Sequence, residues 1–134
     1  MELMKLLLPL ILLLSSCSGE DKYGRKEAFD MIKASDPNIE FIIPSDLSKG
    51  IQCSDYGPGC IGGITVRIKF LEVIIVEFQN SDQARAEAMR IGQWYSKNFV
   101  FDDVMGEPMM EDYFKQLFSA KPGIIYEAKP ADSK

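Results

Sequence analysis

The most regular hydrophobic pattern in the chain lies at 64–70, where Ile64, Val66, Ile68 and Phe70 alternate with Thr65, Arg67 and Lys69. A period of two places one apolar row on one side of a pleated strand, so this stretch predicts a half-buried strand. Val73 to Phe78 is a second β-rich run, and together residues 64–78 predict an antiparallel hairpin turning near Lys69–Glu72. No Asn-Gly or Asp-Gly marks that turn. Elsewhere the spacing is helical. Ala28, Phe29, Ile32 and Ala34 predict a short helix from Lys26 to Ala34, ended by Ser35-Asp36-Pro37. Ala84, Ala88, Ile91 and Tyr95 predict a second helix from Asp82 to about Lys97, capped by Ser81. Met110, Tyr113, Phe114 and Leu117 form the apolar stripe of a third, which opens at Pro108, a favoured first-turn position.

The connecting segments complete the outline. Asn38 to Ile43 predicts a strand stopped by Pro44, and Ser45 to Gly63 a long loop rich in Gly, Ser, Asp and Pro. Phe99-Val100-Phe101 predicts another strand, and Ile124-Ile125-Tyr126 a short edge strand after the break at Lys121-Pro122-Gly123. The order α-β-loop-β-β-α-β-α defines an α+β fold: a small, mostly antiparallel sheet of about three or four strands with helices packed on one face. One domain is expected at 25–128, with a polar tail at 129–134.

The N-terminus follows another logic. After Met1-Glu2-Leu3-Met4-Lys5 comes an apolar run from Leu6 to Leu14, then Ser15, Ser16, Cys17, Ser18 and Gly19, then Glu20-Asp21-Lys22. Polar start, apolar middle and small residues make the three-part layout of a secretory signal. The run is about half the roughly 20 residues of a membrane-spanning helix, and Pro9 interrupts it. Leu14-Ser15-Ser16-Cys17 resembles the lipobox of bacterial lipoproteins. That resemblance implies that residues 1–16 are a signal peptide removed before Cys17. It also implies that the Cys17 thiol carries a diacylglycerol and its amino group is acylated, so the chain would meet a membrane through this N-terminal lipid. Residues 17–24 then read as a flexible tether. Ser18, where an Asp would retain such a protein at the inner membrane, implies the outer membrane, with the domain facing the periplasm. One departure is Glu2, which offsets Lys5 and leaves the amino terminus as the only net positive charge of the start.

Charge and composition narrow the chemistry. With 15 Lys and Arg against 20 Asp and Glu, the net charge is -5. That balance argues against nucleic acid, whose phosphates need neutralising, and against a polybasic membrane contact. The chain has no histidine. A Ser-His-Asp or Cys-His catalytic group therefore cannot be assembled, and neither catalysis nor a cofactor is expected.

With Cys17 lipidated, Cys53 and Cys60 remain, and export would place them where paired cysteines oxidise. A disulfide is expected, the intervening Gly57-Pro58-Gly59 supplying the turn. Gly57 to Gly62 also matches G-x-G-x-x-G, but a polar loop precedes it and an alternating strand follows, so no helix N-terminus would meet a phosphate. Asp102, Asp103, Glu107, Glu111 and Asp112 read mainly as the solvated cap of the last helix. Asp102, Asp103 and Glu107 are the alternative cation ligands. Trp94, beside Tyr95, is a candidate exposed aromatic for a binding surface. The expectation is a non-catalytic accessory or protein-binding module with a protein partner in the envelope. The alternative is a small-ligand or cation-binding protein using residues 102–112 or 45–63.

Overall fold

The computed structural model of the chain describes residues 21–124. Cys17, the expected signal peptide and the expected polar tail lie outside the described residues. Helix α1 (Arg25–Ser35) begins at Gly24, whose N–H donates to the Glu27 carboxylate at 3.1 Å, and buries Ala28 and Ile32. Strand β1 (Glu40–Ile42) follows, then two single-turn 3-10 helices at Leu47–Lys49 and Cys53–Asp55. Strands β2 (Cys60–Ile68) and β3 (Leu71–Phe78) form the predicted hairpin, with Ile68 opposite Leu71 across a two-residue turn. Next come α2 (Ser81–Ile91), β4 (Trp94–Ser96), β5 (Phe99–Asp102), α3 (Pro108–Phe118) and β6 (Lys121–Pro122).

All six strands join one antiparallel sheet in the order β1-β2-β3-β5-β4-β6. The α+β class stands; the expected three or four strands become six because β4 and β6 are too short to carry a legible alternation. The expected placement of helices on one face is also corrected. Ala28 and Ile32 of α1 and Met110, Phe114 and Phe118 of α3 share one core with Val66, Val73, Ile75, Phe99 and Phe101. Ala84 and Ala88 of α2 instead share a second core with Val76, Phe78 and Val100. Successive residues of β3 and β5 point to opposite faces, so these central strands are apolar on both sides and need covering on both.

The predicted second helix stops at Ile91, short of Lys97. Gly92 takes the left-handed conformation at φ 68 and its N–H caps Ala88, a glycine helix stop. Trp94 and Tyr95 are therefore strand neighbours on opposite faces rather than helix residues. The N-cap is Asn80, whose side chain accepts from Gln83 N, rather than Ser81. Strand β2 starts at Cys60, inside the expected loop. The last strand lies at Lys121–Pro122, before the expected Ile124–Tyr126; Ile124 is exposed and outside any strand, and 125–126 lie outside the described residues.

The aromatic core gathers on the α1–α3 face, where Phe101 stacks on Phe114 at 4.3 Å and Phe118 lies 5.1 Å from Phe101. A Ser35–Tyr113 hydroxyl contact of 2.5 Å ties the end of α1 to α3. The molecule has two ends. The β2–β3 turn and the start of α3 lie at one; at the other, Tyr23 N–H donates to the Asn98 side chain beside Phe78 and the end of α3.

Candidate functional site

Cys53 and Cys60 form the expected disulfide, with their Cα atoms 5.5 Å apart. It closes a loop that lies on the second face, where Tyr56 and Cys60 pack against the α2 core. A Cβ on Gly57 would stand 2.5 Å from Oε1 of Glu87, and one on Gly59, at φ 91, would strike the Gln83 amide. The first two glycines of the G-x-G-x-x-G pattern thus serve close packing of this loop on α2, while a Cβ on Gly62 would meet open space. Glu87 is only 3% exposed, and Arg90 meets its carboxylate twice, at 2.6 and 2.5 Å. Oε1 of Gln83 is buried without a hydrogen-bond partner among the described residues.

From this loop Tyr56 O–H donates to the Asp102 carboxylate at 2.8 Å. Burial above all, then this bond, pushes the Tyr56 hydroxyl well above the ordinary phenol range. Asp102 also accepts from Asp103 N at 2.9 Å. Asp103 itself is held at φ 64, and burial, then the Asp102 charge, raises its carboxyl above the usual range. Glu107 is the N-cap residue of α3, its carbonyl accepting from Glu111 N at 2.9 Å. The Glu111 carboxylate receives Trp94 Nε1 at 3.1 Å and Gly106 N at 3.0 Å. Among the described residues, no three Cys, Asp or Glu side chains converge on a point where a metal could sit. Trp94 is half-buried against the aromatic core with its indole N–H engaged. Gln93, inside the span expected to be helical up to Lys97, is half-buried and accepts from Val104 N and Met105 N at 3.0 and 2.9 Å.

The exposed aromatic is a different residue. Phe70, counted by the alternation as inward-facing, sits in the β2–β3 turn and is 96% exposed. Both turn residues have left-handed backbones, Lys69 at φ 50 and Phe70 at φ 71, as a type I′ turn demands. Such turns favour Asn and Gly because a side chain clashes there with its own backbone. Behind the turn, Arg67 reaches Glu72 at 2.7 Å and Glu40 at 3.2 Å, while Lys69 makes no ion pair among the described residues. Lys69 also borders a shallow hollow on α3 that includes Met109, itself 49% exposed, and Tyr113. Nothing in the turn chemistry of the sequence could have exposed this, because Phe70 extends the period-two row by one more step.

Compared with protein-family models, with curated proteins and with solved structures, the chain gives no significant match. No helix among the described residues is long and apolar enough to cross a membrane.

Proposed function

We propose that this chain is a lipid-anchored protein of the bacterial envelope whose domain is a non-catalytic binding module. The observation that carries this reading is the sequence Leu14-Ser15-Ser16-Cys17 directly after the apolar run Leu6–Leu14. One acyl chain binds a bilayer only marginally, whereas two or more hold it stably, each buried methylene contributing about 0.8 kcal/mol. The lipid can therefore anchor a chain whose net charge of -5 gives it no overall attraction to an acidic membrane surface. Ser18 directs the anchor to the outer membrane with the domain on the periplasmic side. The Cys53–Cys60 disulfide suits an oxidising compartment.

The non-catalytic half of the reading rests on composition and geometry. The chain has no histidine, and two carboxylates beside the β5–α3 connection are engaged locally: Asp102 by Tyr56, Glu111 by Trp94 and Gly106. The cation-binding alternative would need those carboxylates to turn toward one another.

Fractionation of cells expressing Cys17→Ala tests the anchor. The variant is expected in the soluble periplasm and the unchanged protein in the membrane pellet; a variant that stays in the pellet overturns the reading.

A further inference from the structure

We infer that the Lys69–Phe70 turn is the anchor by which this domain docks into an apolar, carboxylate-rimmed pocket on another envelope protein. The orientation used here rests on the lipid-anchored reading; the turn geometry does not. Two independent departures from folding logic meet in one turn. A phenyl ring stands 96% in water, and both turn residues hold backbone conformations that Asn and Gly adopt at far lower cost. Neither departure is offset by a contact of the ring within the fold. For docking, however, both become assets. An aromatic ring on a two-residue turn between paired strands loses little freedom when captured, and such rings dominate interface energetics.

Charge and position define the partner. Lys69 is a cation with no ion pair among the described residues, at the tip of an acidic protein, and it complements carboxylates. Position argues for a protein rather than the anchoring bilayer. The chain enters the domain at Tyr23, pinned to Asn98 beside the far end of β3. The eight residues of β3 separate that end from the turn by about 26 Å. The six residue steps from Cys17 to Tyr23 reach at most about 21 Å when fully extended. A tether of that reach cannot invert the domain to set Phe70 directly beneath Tyr23 on the lipid.

The test places the photoreactive residue p-benzoylphenylalanine at position 70 of the full chain, and separately at Leu47, which is 82% exposed on another part of the surface. Both proteins are irradiated in the cell that makes them. Position 70 is expected to give one discrete protein adduct that position 47 does not. Adding Lys69→Glu should diminish that adduct about tenfold or more. The protein so identified, once purified, should bind the lipid-free domain about tenfold or more weaker after Lys69→Asn with Phe70→Gly, a pair that keeps the fold. The inference is overturned by no adduct, by an adduct with a second copy of this chain, or by an adduct indifferent to Lys69. It is equally overturned if the lipid-free domain binds phosphatidylethanolamine–phosphatidylglycerol vesicles through Phe70. Fractionation of the same cells separates the two ideas. A missing adduct from membrane-bound protein defeats the docking inference alone, and soluble protein that still gives the adduct defeats the anchor alone.

Discussion

Two turns of this sheet face the same steric problem and resolve it differently. Lys97, between β4 and β5, is held at φ 50, and Lys69 and Phe70, between β2 and β3, at φ 50 and φ 71. At the first, the neighbouring Asn98 is fully buried; its side chain accepts from Tyr23 N at 2.7 Å and donates to Tyr23 O at 3.1 Å. Lys97 lies over the Tyr23 ring at 4.4 Å, so the strained turn also pins the chain where it enters the domain. The second turn makes no comparable contact: its aromatic ring points into water. A strained turn that holds the fold together is explained by the fold. One that holds nothing requires a reason outside it.

The largest expected effect tests the first turn. Asn98→Ala removes both bonds to Tyr23 and strands a part-buried N–H, which should lower unfolding free energy by about 2–3 kcal/mol in a denaturant titration. A loss below about 0.5 kcal/mol would erase the contrast between the turns. Next, Lys69→Asn with Phe70→Gly should raise stability by about 1–2 kcal/mol in the same titration, because it relieves two left-handed residues and gives up no buried contact. A destabilised variant would mean that the tip supports the fold after all. The smallest effect concerns the left-handed residue Asp103, whose neighbour Asp102 is held by Tyr56. Burial and that bond raise the Tyr56 pKa in the folded state. The stability it contributes is therefore fully present below the unfolded phenol pKa of about 10 and is lost as pH rises above it. Thermal melts across that range should show stability falling with pH, more shallowly in Tyr56→Phe. Tyr113, also raised chiefly by burial, contributes the slope that remains.

Where the sequence carried a long periodic signal, it was readable. The alternation of β2, the i, i+4 spacing of α3 and the cysteine pair all find their places, since each repeats over enough residues to imply one face or one bond. Three-residue strands repeat too little to fix their bounds, so the run Asn38 to Ile43 stopped by Pro44 yields β1 only at Glu40–Ile42, and β4 was absorbed into a helix because Tyr95 happens to fall on the Ala84–Ala88–Ile91 spacing. Gly92 was the legible warning, a helix stop in the middle of that pattern. The position of α2 was hidden for another reason. Facing helices are set by which side of β3 and β5 remains uncovered, and both sides are apolar. Phe70 was hidden by its own hydrophobicity: periodicity counts an apolar residue as inward, and only the turn shows otherwise.

The clasp between Tyr23 and Asn98 has a mechanical consequence. If the domain is held through its N-terminus and gripped at Phe70, any pull between the two runs lengthwise along the strands. It then loads the β3–β5 ladder in shear, many bonds at once, rather than unzipping them one by one. Before reaching the ladder, tension from the N-terminus falls on two parallel hydrogen bonds to a single buried amide. Asn98 would be the first point to carry that load, with the Tyr23 O–H on Phe118 O and the Arg25–Glu77 pair next in line before α1 could move.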